Sequence, residues 1–339
     1  MKILVQTYDT AFQNKAGGVH TRIDRTVSSI KEFGVTIEYF DKFDTDITEY
    51  DILHVFKLEI SSLGLVRYAK DKGLKVVLSS IVILENGIKI DLYRKLRKLP
   101  LMTTYKCLFQ ILDLVDAVVV ETFKEKKFLV KHYHVNPGKI TVIPNGADLI
   151  ESNSNMIFDV LGKKCDYALE VARFDDNKNQ IKVIEAVKNT DIEMIFVGGA
   201  DFTSPEYYKK CVDAAGESKN IHFLGWLDND SELLKSAYAN AKVVLCSSYC
   251  ETFGLSIVEG VMAGAIPVIS KTLPILDYDV FRECIIFEPD SALDIKKKIE
   301  LAMQSKYEEG LRKKTKESFS WKSVAEQHIN LYAKIAGGN

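Results

Sequence analysis

Two doubly wound α/β domains facing each other across a cleft are the architecture this sequence predicts, and three observations carry the expectation. Short apolar stretches of strand length alternate with amphipathic helical stretches almost throughout, which implies a mostly parallel sheet with helices on both faces. The same alternation begins again in the second half. At 339 residues, 47% of them hydrophobic, the chain is long enough for two cores.

Strands of the first half are expected at KILVQT (2–7), VTIEYF (35–40), DILHVF (51–56), LKVVLS (74–79), DAVVVE (116–121) and ITVIP (140–144). The segment VHTRIDRTVSSIKEFG between the first two has apolar positions every three to four residues and stops on Gly34, as a helix with a glycine C-terminus does. LIESNSNMIFDV (149–160) is polar and irregular and reads as a linker. The scheme then returns with YALEVAR (167–173), IEMIFVG (192–198), NIHFLG (220–225), AKVVLCS (241–247), AIPVIS (265–270) and ECIIFE (283–288). SFSWKSVAEQHINLYAKI closes the pattern as an amphipathic helix. The domain boundaries expected from this are 1–150, 151–318 and a closing helix at 319–339.

Composition removes several classes of function. A formal charge of −2 and a pI near 6.3 leave no global footprint for nucleic acid. The cysteines Cys107, Cys165, Cys211, Cys246, Cys250 and Cys284 are scattered, without a CxxC pair, and read as buried thiols in a reducing cytosol. MKILVQTYDT is a strand start and not a signal peptide, and no apolar run reaches membrane-spanning length, so a cytoplasmic protein is expected. No GxGxxG follows any strand, which argues against a nicotinamide dehydrogenase.

In doubly wound sheets, ligands bind beyond the carboxyl ends of the strands, and the notable residues cluster there. Gly17 and Gly18 precede the first helix, where a close backbone approach and free amides suit an anion; plain turn chemistry is the commoner reason for such a pair. VARFDDNKNQ places Arg173 and Lys178 on one strand-to-helix turn, with Asn177 able to start the next helix. Two such cations can clamp a diphosphate, or merely form a solvated face. In CETFGLSIVEG, Glu251 and Glu259 flank a helix start whose amides, at Phe253, Gly254 and Leu255, carry roughly half a positive charge from the helix dipole. A carboxylate accepts from two adjacent hydroxyls at once, so Glu259 suits a ribose diol and Glu251 a second sugar. Sugar, phosphate and ribose in a row describe a nucleotide-sugar. The plainer alternative for each acid is stabilisation of the helix dipole.

These motifs, taken in order, resemble the retaining, nucleotide-sugar-dependent glycosyltransferases of the GT-B fold, of the family 4 type. The resemblance rests on AGGVHTRI, DILHVF, VIPNGAD, VARFDDNKNQIKVIEAV, FLGWL, the E-x7-E stretch ETFGLSIVE with AGAIPVIS, and SWKSVAEQHINLYAKI. It implies two Rossmann-like domains, the first on the acceptor side, the second binding the nucleotide-sugar, with the last helix packing back on the first. It further implies that Arg173 and Lys178 hold the donor diphosphate and that Glu259 holds the ribose. Glu251 would lie by the transferred sugar, with Thr252 and the amides of Phe253 to Leu255 around it, Gly17 and Gly18 beside the leaving group, and Leu227 near the base. Glu251, Arg173 and Lys178 are then the residues closest to the chemistry. Many relatives carry a histidine after the fourth strand; here LSSIVILENG offers Ser79, Ser80 and Glu85 instead. His20 and His54 are candidate substitutes on the acceptor side, or structural residues.

The mechanism implied is front-face attack in which the departing diphosphate helps deprotonate the acceptor, so that stabilising that diphosphate is the main task of the protein. Domain closure would exclude water. No metal or cofactor is expected. The D-x-D triplets at Asp44–Asp46, Asp228–Asp230 and Asp277–Asp279 read as chance in an Asp-rich chain. The acceptor is expected to be a glycan or lipid-linked. Residues 88–109, with Lys89, Arg94, Lys95, Arg97 and Lys98 among Leu and Tyr, suit either an anionic membrane surface or an ordinary solvated helix. A nucleotide-sugar epimerase and a catalytically silent scaffold of the same fold are the competing readings.

Overall fold

The computed structural model describes all residues except 9–17, 83, 85, 101, 202–203 and 338–339, and the side chains of 18 and 19. The described residues form two compact units, Met1–Gly146 with Trp321–Asn339, and Ala147–Ser320.

The first unit runs β1 (Lys2–Gln6), α1 (Gly18–Glu32), β2 (Thr36–Tyr39), β3 (Ile52–Phe56), α2 (Leu63–Asp71), β4 (Lys75–Ser79), α3 (Gly87–Lys95), α4 (Thr104–Leu114), β5 (Ala117–Val120), α5 (Phe123–Phe128) and β6 (Ile140–Val142). Its six strands lie in the order β2-β1-β3-β4-β5-β6, every pair parallel. A parallel sheet is covered on both faces, and its strands therefore read as unbroken apolar runs. β3 shows how: Leu53 and Val55 enter the core on one face, with Val66, Phe109 and Leu112, while Ile52 and Phe56 enter the other, with Ile23, Val27 and Ile30 of α1.

The second unit runs α6 (Met156–Leu161), β7 (Tyr167–Val171), α7 (Gln180–Val187), β8 (Glu193–Val197), α8 (Pro205–Ala215), β9 (Ile221–Phe223), α9 (Glu232–Ala239), β10 (Val243–Cys246), α10 (Leu255–Ala263), β11 (Ile266–Ser270), β12 (Ile285–Phe287), α11 (Ala292–Gln304) and α12 (Glu309–Phe319). Its order is β12-β11-β10-β7-β8-β9, again parallel throughout. From β7 the chain winds outward through β8 to β9, then returns to place β10 on the other side of β7. The boundary between β7 and β10 is thus the topological switch point, where the loops leaving the strands diverge and open a crevice.

The final helix, α13 (Trp321–Ala336), belongs to the first unit, where Val324, Ala325, Leu331 and Tyr332 join the core beside α1. Burying each of the larger of these contributes roughly 1.5–3 kcal/mol. Trp321 packs on Gly146, where an added Cβ would sit 2.3 Å from the indole, so a residue without a side chain is required there.

All twelve expected strands are present, each shorter at one end or both than its apolar run. The stretch read as a linker differs: residues 156–161 form α6, because Ile157 is fully buried against the second unit. Ser154 is tied down as well, its carbonyl accepting from Ser236 Oγ at 2.8 Å and Asn240 Nδ2 at 3.0 Å.

Candidate active site

Both loops leaving the β7/β10 switch point are built from local hydrogen bonds. After β7, Asp175 caps a 3-10 turn, Asp176–Lys178, by accepting from the Lys178 amide at 3.1 Å. Asn179 follows at φ +59° and α7 begins at Gln180. Asn177 therefore does not start the helix: the Asp175 cap moves its origin two residues on. Instead Asn177 clasps the second loop, donating from Nδ2 to the Cys250 carbonyl at 2.8 Å and accepting from the Cys250 amide at 3.0 Å. After β10, Phe253 is buried edge-on against Tyr278 and Phe319, which pins the turn into α10. Gly254 caps that helix at φ +112°, in the left-handed region a side chain rarely enters, and Gly264 ends it at φ +110°.

This architecture brings Arg173, Lys178, Glu251, Thr252, Phe253, Gly254, Leu255 and Glu259 to one end of one sheet. Arg173 projects outward, 55% exposed, but its fork is aimed: Nε donates to Asp175 Oδ2 at 2.8 Å and Nη1 meets Asp201 Oδ2 at 3.0 Å. Lys178 is largely buried and ion-paired with Glu251 Oε1, which also accepts from Ser248 Oγ at 2.7 Å. Burial pushes the Lys178 ammonium down, and the Glu251 carboxylate more than offsets it, so its pKa ends above the ordinary value. Glu259 accepts from Tyr238 Oη at 2.8 Å; burial pushes its carboxyl up to about 7, against the Tyr238 bond. Beneath them Glu170 of β7, 2% exposed, bonds with Ser247, and burial likewise raises it to about 7.

Leu227 follows β9 and packs against the apolar cluster under α10. An antiparallel bridge between Gly198 and Gly225 sets the neighbouring Trp226 indole over Gly199, whose Cβ would lie 2.4 Å from its Nε1.

In the first unit, Gly18 is the first residue of α1 and His20 lies in its first turn; Gly17 and Glu85 lie outside the described residues. His54 lies fully buried in β3. Its ring is enclosed, Nδ1 2.7 Å from Tyr332 Oη and Nε2 2.9 Å from Ser79 Oγ, and burial lowers its pKa well below the usual imidazole range. Ser80 Oγ donates to Glu125 Oε1 at 2.6 Å, and the other oxygen of Glu125 accepts the Glu121 amide at 2.8 Å. Glu121 is ion-paired with the buried Arg22 of α1. The strand ends of this unit therefore carry a buried polar network. His328 in the same core is pushed down to about 3 by burial and then by Arg22.

Asp175, Asp201, Glu170, Ser247 and Ser248 were missed as site residues. Asp175 had a signal, since an Asp three residues before a turn amide is a capping position. Asp201 and Glu170 act across strands, and no local spacing marks them. All six cysteines are free; Cys211 and Cys246 are buried and the other four are partly accessible, more open than expected. Among the described residues, no helix is long and apolar enough to cross a membrane.

Two parallel six-stranded α/β units, with the final helix returning to the first, define the fold as that of the GT-B glycosyltransferases. A glycosyltransferase structure from Rickettsia africae shares it at a TM-score of 0.75 and 15% identity, over 100% of this chain and 99% of that one. The Anabaena protein HepE, crystallised with UDP and glucose, aligns at 0.71 and 15% identity over 98% of this chain and 100% of that one. The family model described as Glycosyl transferases group 1 matches residues 156–318, and that described as Glycosyltransferase Family 4 matches residues 2–151. The chain belongs to this glycosyltransferase family. Among curated proteins it is similar to D-inositol 3-phosphate glycosyltransferase of Corynebacterium diphtheriae, 28% identical over 48% of this chain and 42% of that protein. The same enzyme of Mycolicibacterium gilvum is 26% identical over 54% of this chain and 44% of that protein. The matches thus span less than half the length of these curated relatives.

Proposed function

We propose that this chain is a retaining glycosyltransferase, moving a sugar from a nucleotide-diphosphate donor to a glycan, polyol or lipid-linked acceptor without a metal ion. One observation carries the reading: Arg173, Lys178 and the amide-bearing start of α10 meet at the switch point of the second unit. Guanidinium, ammonium and helix start are the three groups that best stabilise a departing diphosphate. On this reading Glu259, on the same helix, holds the ribose and Glu251 the transferred sugar. The bond from the anomeric carbon to the diphosphate breaks while the acceptor oxygen bonds on the same face, and the acceptor proton passes to the departing diphosphate oxygen. That relatives are named for glycosyl transfer to inositol phosphate, and that HepE was crystallised with UDP and glucose, supports donor and reaction class.

A role at the cell envelope is part of the proposal. Around α3, Ile88 (89% exposed), Leu92, Leu96, Leu99 and Met102 stand out among the exposed Lys89, Lys95 and Lys98. Apolar side chains rimmed by lysines suit an anionic lipid surface. Arg94 and Arg97 are engaged with Asp91 and Asp113.

The deciding experiment incubates the protein with UDP-, GDP- and ADP-sugars and candidate acceptors, with mass spectrometry of the products and NMR of the anomeric centre. A glycoside of retained configuration, formed equally in EDTA, is expected. An altered free sugar would establish the epimerase reading instead. Loss of product in EDTA would overturn metal independence, and absence of co-sedimentation with anionic liposomes would remove the membrane role.

A further inference from the structure

Beneath the two loops lies a carboxylic acid that donor binding as described does not use. Glu170 sits one residue before the carboxyl end of β7, 2% exposed, with Oε1 2.6 Å from Ser247 Oγ and 3.3 Å from the Ser247 amide. Ser247 Oγ is also 2.5 Å from the carbonyl oxygen of Lys178. Proton counting constrains this triad. A hydroxyl has one proton, and a carbonyl oxygen can only accept. With Glu170 ionised, Ser247 would face two acceptors with one hydrogen, and one of the two short O···O contacts would be repulsive. With Glu170 protonated, every short contact holds a proton: Glu170 donates to Ser247 Oγ, and Ser247 donates to the Lys178 carbonyl. Glu170 Oε2 is buried and without a partner. That is tolerable for the carbonyl oxygen of a neutral acid and costly for half of a carboxylate charge.

We propose that Glu170 is a positioning residue of the donor site, held as a neutral carboxylic acid that fixes the Lys178 turn through Ser247. The proposal rests on the donor-site reading for its functional half. Kept neutral, Glu170 leaves Lys178 facing the carboxylates of Glu251 and, more weakly, Asp175, and the ammonium stays available to a diphosphate. Ionised, it would break the relay and add negative charge beneath the anion site. The surroundings allow the neutral form. Lys178 and Glu251 face Glu170 from the two loops, Cys246 from β10, and Tyr207 and Cys211 from α8; its neighbour on β8 is Phe196. Burial raises the two cysteines to about 12 and Tyr207 further, so these three remain uncharged through neutrality. Burial raises Glu170 itself to about 7.

Two measurements on the full chain test this. Infrared difference spectra between pH 5 and 9 are expected to show a protonated-carboxyl carbonyl band that titrates near neutrality and shrinks in Glu170→Gln. Calorimetric titration with UDP, GDP and ADP reads the function. Glu170→Ala is expected to bind about tenfold more weakly, as if the site had lost one pK unit of interaction. Glu170→Gln, whose amide can donate to Ser247, restores most of that loss. Glu259 changes charge over the same range, so the decisive comparison is between profiles: the alkaline fall in affinity is smaller in Glu170→Gln than in the wild type. Equal weakness of the Gln and Ala variants, or identical pH profiles, overturns the positioning role. An infrared spectrum unchanged by Glu170→Gln overturns the proton chain. A wild-type protein that keeps the band but binds no nucleoside diphosphate defeats the donor-site reading and supports the proton chain alone.

Discussion

Replacing Lys178 with methionine separates what the Lys178–Glu251 pair does for stability from what it does for a ligand. The side chains are 14% and 18% exposed, so the pair is close to fully desolvated. Removing one partner of a buried pair costs about 3–5 kcal/mol, because the other charge stays buried and unpaired. Glu251 keeps its bond from Ser248 Oγ and some access to water, which brings the expected loss to about 2–3 kcal/mol. Lys178→Met with Glu251→Gln leaves no orphaned charge, and is expected to recover all but about 1 kcal/mol of stability. Nucleoside diphosphate binding should not recover, because the ammonium is absent from both variants. The chain's two tryptophans are divided between the units, Trp226 in the second and Trp321 in the first. Urea unfolding followed by Trp226 fluorescence in a Trp321→Phe background therefore reports on the unit that holds the pair. A single variant as stable as its parent, or a double variant no better than the single, would refute the reasoning.

Other consequences are equally open to measurement. Glu259 has its folded pKa raised from 4.5 to about 7, so its contribution to stability is full below pH 4.5 and is lost as pH rises through 7. Glu259→Gln should flatten that interval of the stability–pH curve by about 2 kcal/mol, with partial exposure allowed for; an unaltered curve rejects the shift. At Gly260 an added Cβ would stand 2.5 Å from Val244 Cγ2, so Gly260→Ala should destabilise by roughly 1–3 kcal/mol in denaturant titration, and a neutral effect would mean the helix shifts freely. Asp201→Asn removes a charge that aims the Arg173 fork, and nucleoside diphosphate affinity should fall about threefold to tenfold with the thermal midpoint nearly unmoved. Equal affinity would mean that Asp175 holds Arg173 alone.

Much of this was legible in the sequence because parallel sheets bury both faces of their strands. VVL, AVVV and MIFV announce themselves whatever their neighbours, and Gly34 and Gly264 mark helix ends through the backbone freedom those ends need. Arg173, Lys178 and Glu251 were legible because the loops leaving two adjacent strands carry them, and Glu259 because it lies on the helix that follows one of those loops. The rest depended on contacts between distant parts of the chain. Glu170 looks like one polar residue in a strand until Ser247 is folded over it. Asp201 acquires its partner only when β8 lies beside β7. The α6 segment reads as linker because its short apolar run follows Asn153, Ser154 and Asn155 and is broken by Asp159, and α9 supplies the surface that makes it a helix. Asn177 was misplaced by one competing cap, Asp175.

The return of α13 to the first unit has a consequence for biosynthesis. Val324, Ala325, Leu331 and Tyr332 are translated only after the whole of Ala147–Ser320, so until then the core beside α1 lacks the apolar side chains that α13 brings to it. Among the described residues, the core clusters of the second unit are built from its own buried side chains. On the ribosome the first unit therefore completes its core only when the last residues of the second unit have already been made, which departs from the usual amino-to-carboxyl order of domain maturation.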